Sequence, residues 1–561
     1  MAKNYLIGIG GTGARVLESI VHCCAAGLGP DELSVIIVDP DEGNGNLSRT
    51  KDLVTAYQRS RAAFGQGSQG SGPDARLFGT QLNTPKSFVW GIFEDQNRTL
   101  GSYIDHGLAS KSARPELAQF MEVLFSEQER TRELNEGFRG HPSIGAVVMA
   151  NAPEDKDPWL TFWSDVDAAG GEHEVRVFLV GSIFGGTGAA GVPTFGAPKM
   201  LKRHPRARLD GATEDTRGEG GAAQADADGG RSKIFLGAAL VLPYFAIDLA
   251  KLPKAGSDMF VTPADFPVAT KAALQYYADK YEAKQLAFDE MYLVGDSLPQ
   301  RVGEFNPGSG QQVNRPHYVE LATALAAFDF FALTPPVARP ADTEPRVHVA
   351  ARESMRVDWR SVPVSRDRGP AGELLRVEFK RRIAAMTVFA YALNTLGGDT
   401  LDQPHGDVLD AWYRSHFPRR GDDADKDPRK ERQRVAEVAA FCAKFLTWVT
   451  ALDDEDGRVH LVDRTKVFAE AAAAGAGAPG APDAAAALLD RRAHDTAVGS
   501  LLRGDGGARR RFSDLLNAMN KVPPLNPAMP AAVRYLHVFY DGALRFAGDN
   551  WELGPTRQAG V

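Results

Sequence analysis

The sequence predicts an α/β fold built on a mostly parallel sheet, and three observations carry that reading. Short, nearly continuous apolar runs at residues 5–9 (YLIGI), 34–38 (SVIIV) and 175–182 (VRVFLVGS) have the pattern of strands covered on both faces. Stretches of helical periodicity lie between such runs; the first, ARVLESIVHCCAAGL, sets Val16, Leu17, Ile20 and Val21 on one face. Two of the strands pass directly into glycine-rich turns, GIGGTGAR (8–15) and GSIFGGTGAAG (181–191), each opening a helix.

Taken in order, the chain opens with strand 5–9, a GGTG turn, a helix and strand 34–38, which stops at Asp39. This is a βαβ unit. Residues 60–80 are rich in Gly, Ser and Gln and read as a surface excursion. A helix is expected around 115–135, and RGHPSIGAVVMA (139–150) brackets a proline with two glycines. After strand 175–182 and its glycine turn, a helix is expected to reach Arg203. Residues 205–232 carry almost no large apolar side chain, so burial cannot offset the entropy of ordering them; a flexible insertion is expected. KIFLGAALVLPYF (233–245) and MYLVGD (291–296) are further strands around a helix at 270–284. Residues 314–333 form a long helix, apolar over much of its surface and therefore expected at the centre.

The pattern changes after 335. Residues 336–469 read as a second, smaller domain, α+β and then helical, with a helix at 372–396 and a solvated charge run at 419–435. EAAAAGAGAPGAPDAAAA (470–487) reads as a linker. Residues 488–561 read as a C-terminal helical module with aromatic residues at Phe512, Tyr535, Phe539, Tyr540, Phe546 and Trp551. No repeat of fixed period is found.

Composition narrows the function. A chain of 561 residues, 43% hydrophobic and 24% charged, is an ordinary globular composition with room for a large core. A net charge of −8 argues against nucleic acid as partner. No apolar run approaches a membrane span, and MAKNYLIGIGG enters a strand without a signal-peptide core, so a cytoplasmic location is expected. Cys23, Cys24 and Cys442 have no metal-ligand spacing and read as buried thiols. His141 and His317 are isolated and read as packing or surface residues, and Ser182 is not in a nucleophile-elbow pattern.

The two glycine turns share one physics. Small residues let successive backbone N–H groups point at a single anion, and the helix that follows adds its unsatisfied donors and positive dipole end. Gly10, Gly11, Thr12 and Gly13 in the first turn, and Gly185, Gly186, Thr187, Gly188 and Ala189 in the second, are the candidate phosphate ligands; both threonines are candidate hydroxyl donors. The bland alternative for either turn is close helix–strand packing. Neither turn has the lysine of a P-loop. In DPDEGNGN (39–46), Asp39 and Asp41 are candidate Mg²⁺ ligands and Asn44 a candidate donor. Here the alternative is a turn or helix-start cluster. A strand ending at Asp39 after GxGGTG also suits a Rossmann dinucleotide site for NAD(P) or flavin, with Asp39 on a ribose.

The arrangement resembles the tubulin/FtsZ superfamily, and more closely its divergent bacterial tubulin-like branch, over about residues 1–335. Gly8 to Gly13 is similar to the family's N-terminal glycine run. Phe184-Gly185-Gly186-Thr187-Gly188-Ala189-Ala190 is similar to its GGGTG(S/T)G loop, with Phe184 in place of the first glycine and Ala190 of the last. RGHPSIG, with Gly140 and Gly145, resembles its third phosphate loop, and the loops come in the family's order. The resemblance implies a tubulin-type GTPase domain binding GTP or GDP with Mg²⁺, hydrolysis by phosphoryl transfer to water, and self-association or protein partners. It places helix 314–333 as the central helix, with Asn314 and Tyr318 on the guanine. The alternatives are a helix cap for Asn314 and ordinary packing for Tyr318. The family's trans-acting NxDxxD/E loop is absent after Leu333; Asp342 and Glu344 are the available catalytic carboxylates there, or else part of a solvated loop. A nucleotide-free scaffold that keeps only the fold is the remaining alternative.

Overall fold

The structure, a computed structural model, describes residues 2–64, 77–93, 99–104, 115–131, 133–134, 137–138, 141–150, 155–169, 175–196, 234–247, 266–283, 286, 288–296, 300–302, 310–333, 345–350, 357, 370–396, 428–452, 459, 517–526 and 528–548.

The apolar runs become the strands of one eight-stranded sheet in which every pairing is parallel. The strands are β1 (Lys3–Ile9), β2 (Glu32–Val38), β3 (Gln81–Asn83), β4 (Val89–Trp90), β5 (Val175–Ser182), β6 (Ile234–Val241), β8 (Glu290–Val294) and β10 (Arg346–Ala350). Their order is β10-β8-β6-β5-β1-β2-β3, with β4 also on β2; β7 (Phe245–Ile247) and β9 (Gln300–Val302) form a separate parallel pair. The order reverses between β1 and β5, which are neighbours. Open α/β sheets bind ligands at such a switch point, beyond the carboxyl ends of the strands.

A parallel sheet needs both faces covered, and the pleat sorts the side chains accordingly. On β1, Leu6 enters one core while Tyr5, Ile7 and Ile9 enter the other; on β5, Phe178 and Val180 oppose Val177 and Leu179. The first core is closed by α1 (Gly10–Ala25), α2 (Gly45–Phe64), α10 (Tyr318–Ala332), α11 (Pro370–Leu396), α12 (Pro428–Ala451) and α13 (Ala531–Gly548). The second is closed chiefly by α4 (Pro115–Leu124), α6 (Pro142–Met149), α7 (Trp159–Ala168), α8 (Gly186–Thr194) and α9 (Phe266–Glu282). Two further helices, α3 (Leu100–Tyr103) and α5 (Glu127–Thr131), are short.

Several boundaries differ from expectation. The helix around 115–135 is two helices, because the α5 entry is capped by Ser126 and Glu129. The sheet does not end at 335: β10 pairs with β8 from Arg346↔Glu290 to Ala350↔Val294. The expected second domain and C-terminal module share a core with the first domain. Phe441 of α12 meets Tyr57 and Phe78, and His537 of α13 meets Phe64. The later helices join α1 and α2 in one core, so the described residues beyond 335 complete the fold instead of appending to it. The proposed insertion at 205–232 and linker at 470–487 lie outside the described residues. No described helix is long and apolar enough to cross a membrane.

Candidate functional site

Register brings the two glycine turns together. Ile9 pairs with Val38 on one side and with Gly181 on the other, so Gly10, Asp39 and Ser182 lie at one level at the carboxyl ends of their strands. Gly10 adopts φ +73, and a Cβ there would lie 3.2 Å from the Thr187 Cβ. The turns therefore touch, and the positive φ explains why glycine is needed.

The glycines divide the labour. A Cβ on Gly13 would lie 2.5 Å from the carbonyl carbon of Gly8 and 2.9 Å from the Val180 oxygen; one on Gly188 would lie 2.4 Å from the Ser182 oxygen. Those two serve helix–strand packing. Gly11 differs, because nothing lies within 4 Å of the space its Cβ would take. Gly11, Thr12, Gly185 and Thr187 are partly exposed at this mouth, whereas Gly186 and Ala189 are buried behind it. Phe184 packs on Tyr244, Phe245 and Phe266 and anchors the second turn.

Both helices that start here lack a side-chain cap. The N-caps are Ile9 for α1 and Gly185 for α8, and neither first turn holds an acidic residue. Two sets of first-turn N–H groups and two positive dipole ends thus meet at one opening.

The carboxylates of the second loop sit beside it. Asp39 is 4% exposed and Asp41 6%. The Asp41 backbone N–H donates to Asp39 Oδ1 at 3.1 Å, and burial pushes the Asp39 carboxyl up to about 7. Among the described residues no group of three or more His, Cys, Asp and Glu could hold a metal by itself. Asp39 and Asp41 offer two hard oxygen donors beside the two uncapped helix N-termini, the donor type that Mg²⁺ takes.

Other expected ligands are placed elsewhere. Asn44 caps α2: its Oδ1 accepts from the Asn46 N–H at 2.9 Å, and its amide reaches Gln312, which is the helix-start alternative. Asn314 is neither a cap nor open to a base on its acceptor side. It forms a reciprocal pair with Asn46, whose Nδ2 donates to Asn314 Oδ1 at 2.8 Å and whose Oδ1 accepts the Asn314 N–H at 2.7 Å. The central helix starts later, at Tyr318, capped by a box of His317 and Glu320. Tyr318 is 7% exposed and belongs to the core, so stacking on a base is replaced by packing. Gly145 lies inside α6, where a Cβ would meet Ala190 at 2.6 Å; it serves helix–helix contact and not phosphate. Just before this segment, Gly137 has its Cβ position 3.8 Å from Thr187 Oγ1. Gly140, Asp342 and Glu344 lie outside the described residues.

Sequence reading missed the buried network behind the mouth. Arg15 on α1 pairs with Glu320 on α10, and its guanidinium lies 5.7 Å from the centre of the Tyr244 ring. Tyr244 donates its hydroxyl proton to Glu320 Oε1 at 2.8 Å, and the His317 N–H donates to Oε2 at 2.9 Å. Arg49 bridges Glu18 and the Asn314 carbonyl, and Arg315 donates to the Ala451 carbonyl at the end of α12 at 2.8 Å. No local pattern in the sequence pointed to Arg15 or named its partner.

No family model matches the chain, and no curated protein matches it.

Proposed function

We propose that this chain is a tubulin-like protein that binds a guanine nucleotide, GTP or GDP, with Mg²⁺ at the meeting point of the β1 and β5 turns. The observation that carries the reading is the pair of uncapped helix N-termini, α1 and α8, side by side at the switch point. An anion of several phosphates satisfies both at once, which one dipole end does not require. Asp39 and Asp41 would hold the cation, directly or through water. The loop order described above supports guanine over adenine by resemblance. GTP hydrolysis, and assembly with itself or with partner proteins, follow from that resemblance alone.

A dinucleotide site is the second reading, because strand order β3-β2-β1-β5-β6-β8 and an Asp closing β2 suit it. The burial of Asp39, and the second uncapped helix, favour the first.

The deciding measurement is the nucleotide released from purified protein by acid, identified by chromatography. Guanine nucleotide supports the first reading and a nicotinamide or flavin dinucleotide the second. Gly11→Asp adds a carboxylate where there is room for a side chain, so it should leave the melting temperature near wild type and weaken GTP binding about tenfold or more, roughly 1.4 kcal/mol. Equal affinity in a folded Gly11→Asp protein would count against the site.

A further inference from the structure

The two edges of the sheet are built differently. At one end β3 is three residues long and its polar side chains are engaged: Gln81 Nε2 donates to Asn83 Oδ1 at 3.1 Å, and the Asn83 amide reaches Glu32. A short, polar edge of this kind discourages pairing with another chain. At the other end stands β10, which among the described residues pairs on one side only, with β8. The Arg346 N–H donates to the Asp289 carbonyl at 3.1 Å, and the Ala350 carbonyl accepts from the Gly295 N–H at 3.4 Å. Successive residues of a strand turn their backbone groups to opposite sides. Arg346, His348 and Ala350 therefore serve β8, while the N–H and C=O groups of Val347 and Val349 face outward. Both valine side chains lie on one face, where they are 55% and 69% exposed. On the opposite face His348 is engaged, stacked on Tyr292 and 2.8 Å from Glu290. Arg346 is half-exposed there: its Nε lies 3.3 Å from Glu290 Oε1, and a guanidinium has donors to spare for a second carboxylate.

We propose that the outer edge of β10 is a docking site for an extended segment of another protein, which adds to the sheet as one further strand. Outward donors and acceptors in a row fit an extended backbone and not a helix, whose backbone groups bond internally. The chemistry of the segment follows from the two faces. Its residues set against Val347 and Val349 are apolar, β-branched or aromatic for preference. Its residue set against Arg346 lies on the other face and is acidic, by charge complementarity. The residue between the two apolar ones meets His348, already bound to Glu290, and is not selected. The recognised pattern is acidic, apolar, any, apolar for parallel addition, and the reverse for antiparallel. The site is separated from β5 by β8 and β6, so it stands apart from the glycine turns and does not depend on the nucleotide reading.

The test is fluorescence anisotropy on the full chain with a labelled synthetic peptide carrying glutamate, valine, threonine and valine at successive central positions, made in both orders. One order should bind with a Kd in the micromolar range. N-methylating the central residues removes the peptide's backbone donors and keeps its side chains, and should weaken binding about tenfold or more. Val349→Pro removes an outward N–H without touching the β8 ladder and should have the same effect. Replacing the peptide's glutamate by lysine should weaken binding several-fold in wild type, and Arg346→Gln should bind the two peptides equally. Should Val349→Pro fail to fold by thermal melting, the methylated peptide decides in its place. No binding of either order, undiminished binding of the methylated peptide, or wild type indifferent to the lysine replacement overturns the proposal. So does self-association in sedimentation that Val349→Pro abolishes, because the edge would then belong to a second copy of this chain.

Discussion

Asp39 shows what a single residue can reveal. A strand that stops at an aspartate beside a glycine turn was readable from the sequence, but its burial was not. Its carboxyl titrates near 7 when folded, because burial disfavours the charge, against about 3.9 in an unfolded chain. The folded state therefore holds a proton that the unfolded state has released. Asp39 does not cost stability below pH 4; its cost grows as pH rises towards 7 and is constant above. Asp39→Asn should raise the urea midpoint at pH 8 and leave it unchanged at pH 3.5. A larger gain at pH 3.5 than at pH 8 would refute the buried carboxylate. Magnesium, by favouring the charged form, should protect wild type more at pH 8 than at pH 5.5, and Asp39→Asn less at either.

At the scale of elements, the central fact is how α1 and α10 are joined. Their helical periodicity is plain in the sequence. Their pairing is not, because Arg15 and Glu320 lie far apart in the sequence and local patterns carry no record of such contacts. A separation of 268 residues hid the Asn46–Asn314 pair, which the helix-capping reading of Asn314 could not anticipate. Arg15 is 7% exposed and Glu320 0%, so removing one partner strands the other. Arg15→Met should destabilise the protein by about 3–5 kcal/mol, and Arg15→Met with Glu320→Met should recover much of the loss. A urea-unfolding double-mutant cycle measures both. Additive losses would mean that the pair is not coupled.

For the whole molecule, the late helices are part of the core. Trp448 of α12 stacks on His22 of α1 with ring centres 4.7 Å apart, and Phe441 and Phe445 flank the same histidine. Burial, together with the Arg49 and Lys444 charges, keeps His22 neutral, well below its ordinary titration range. Trp448→Ala should cost about 3–5 kcal/mol and lower one unfolding transition that includes the sheet. Near-ultraviolet and far-ultraviolet circular dichroism, followed through the same melt, check this. Two separated transitions, only one of them shifted, would show that the late helices fold independently. The break in composition after 335 suggested a boundary because it marks a change in local pattern, whereas domain unity depends on which apolar faces find each other.

Local signals were enough for β1, β2, β5, β6, β8, α1 and the two glycine turns, since each follows from short-range sterics and from the period of apolar residues. Strand order followed only from tertiary structure, and with it the meeting of α1 and α8. So did the division of the glycines into those that pack and Gly11, which faces open space, and the burial of Arg15 against Glu320. These depend on contacts between distant segments, where the free energy of burial, and not local conformational preference, selects the partner.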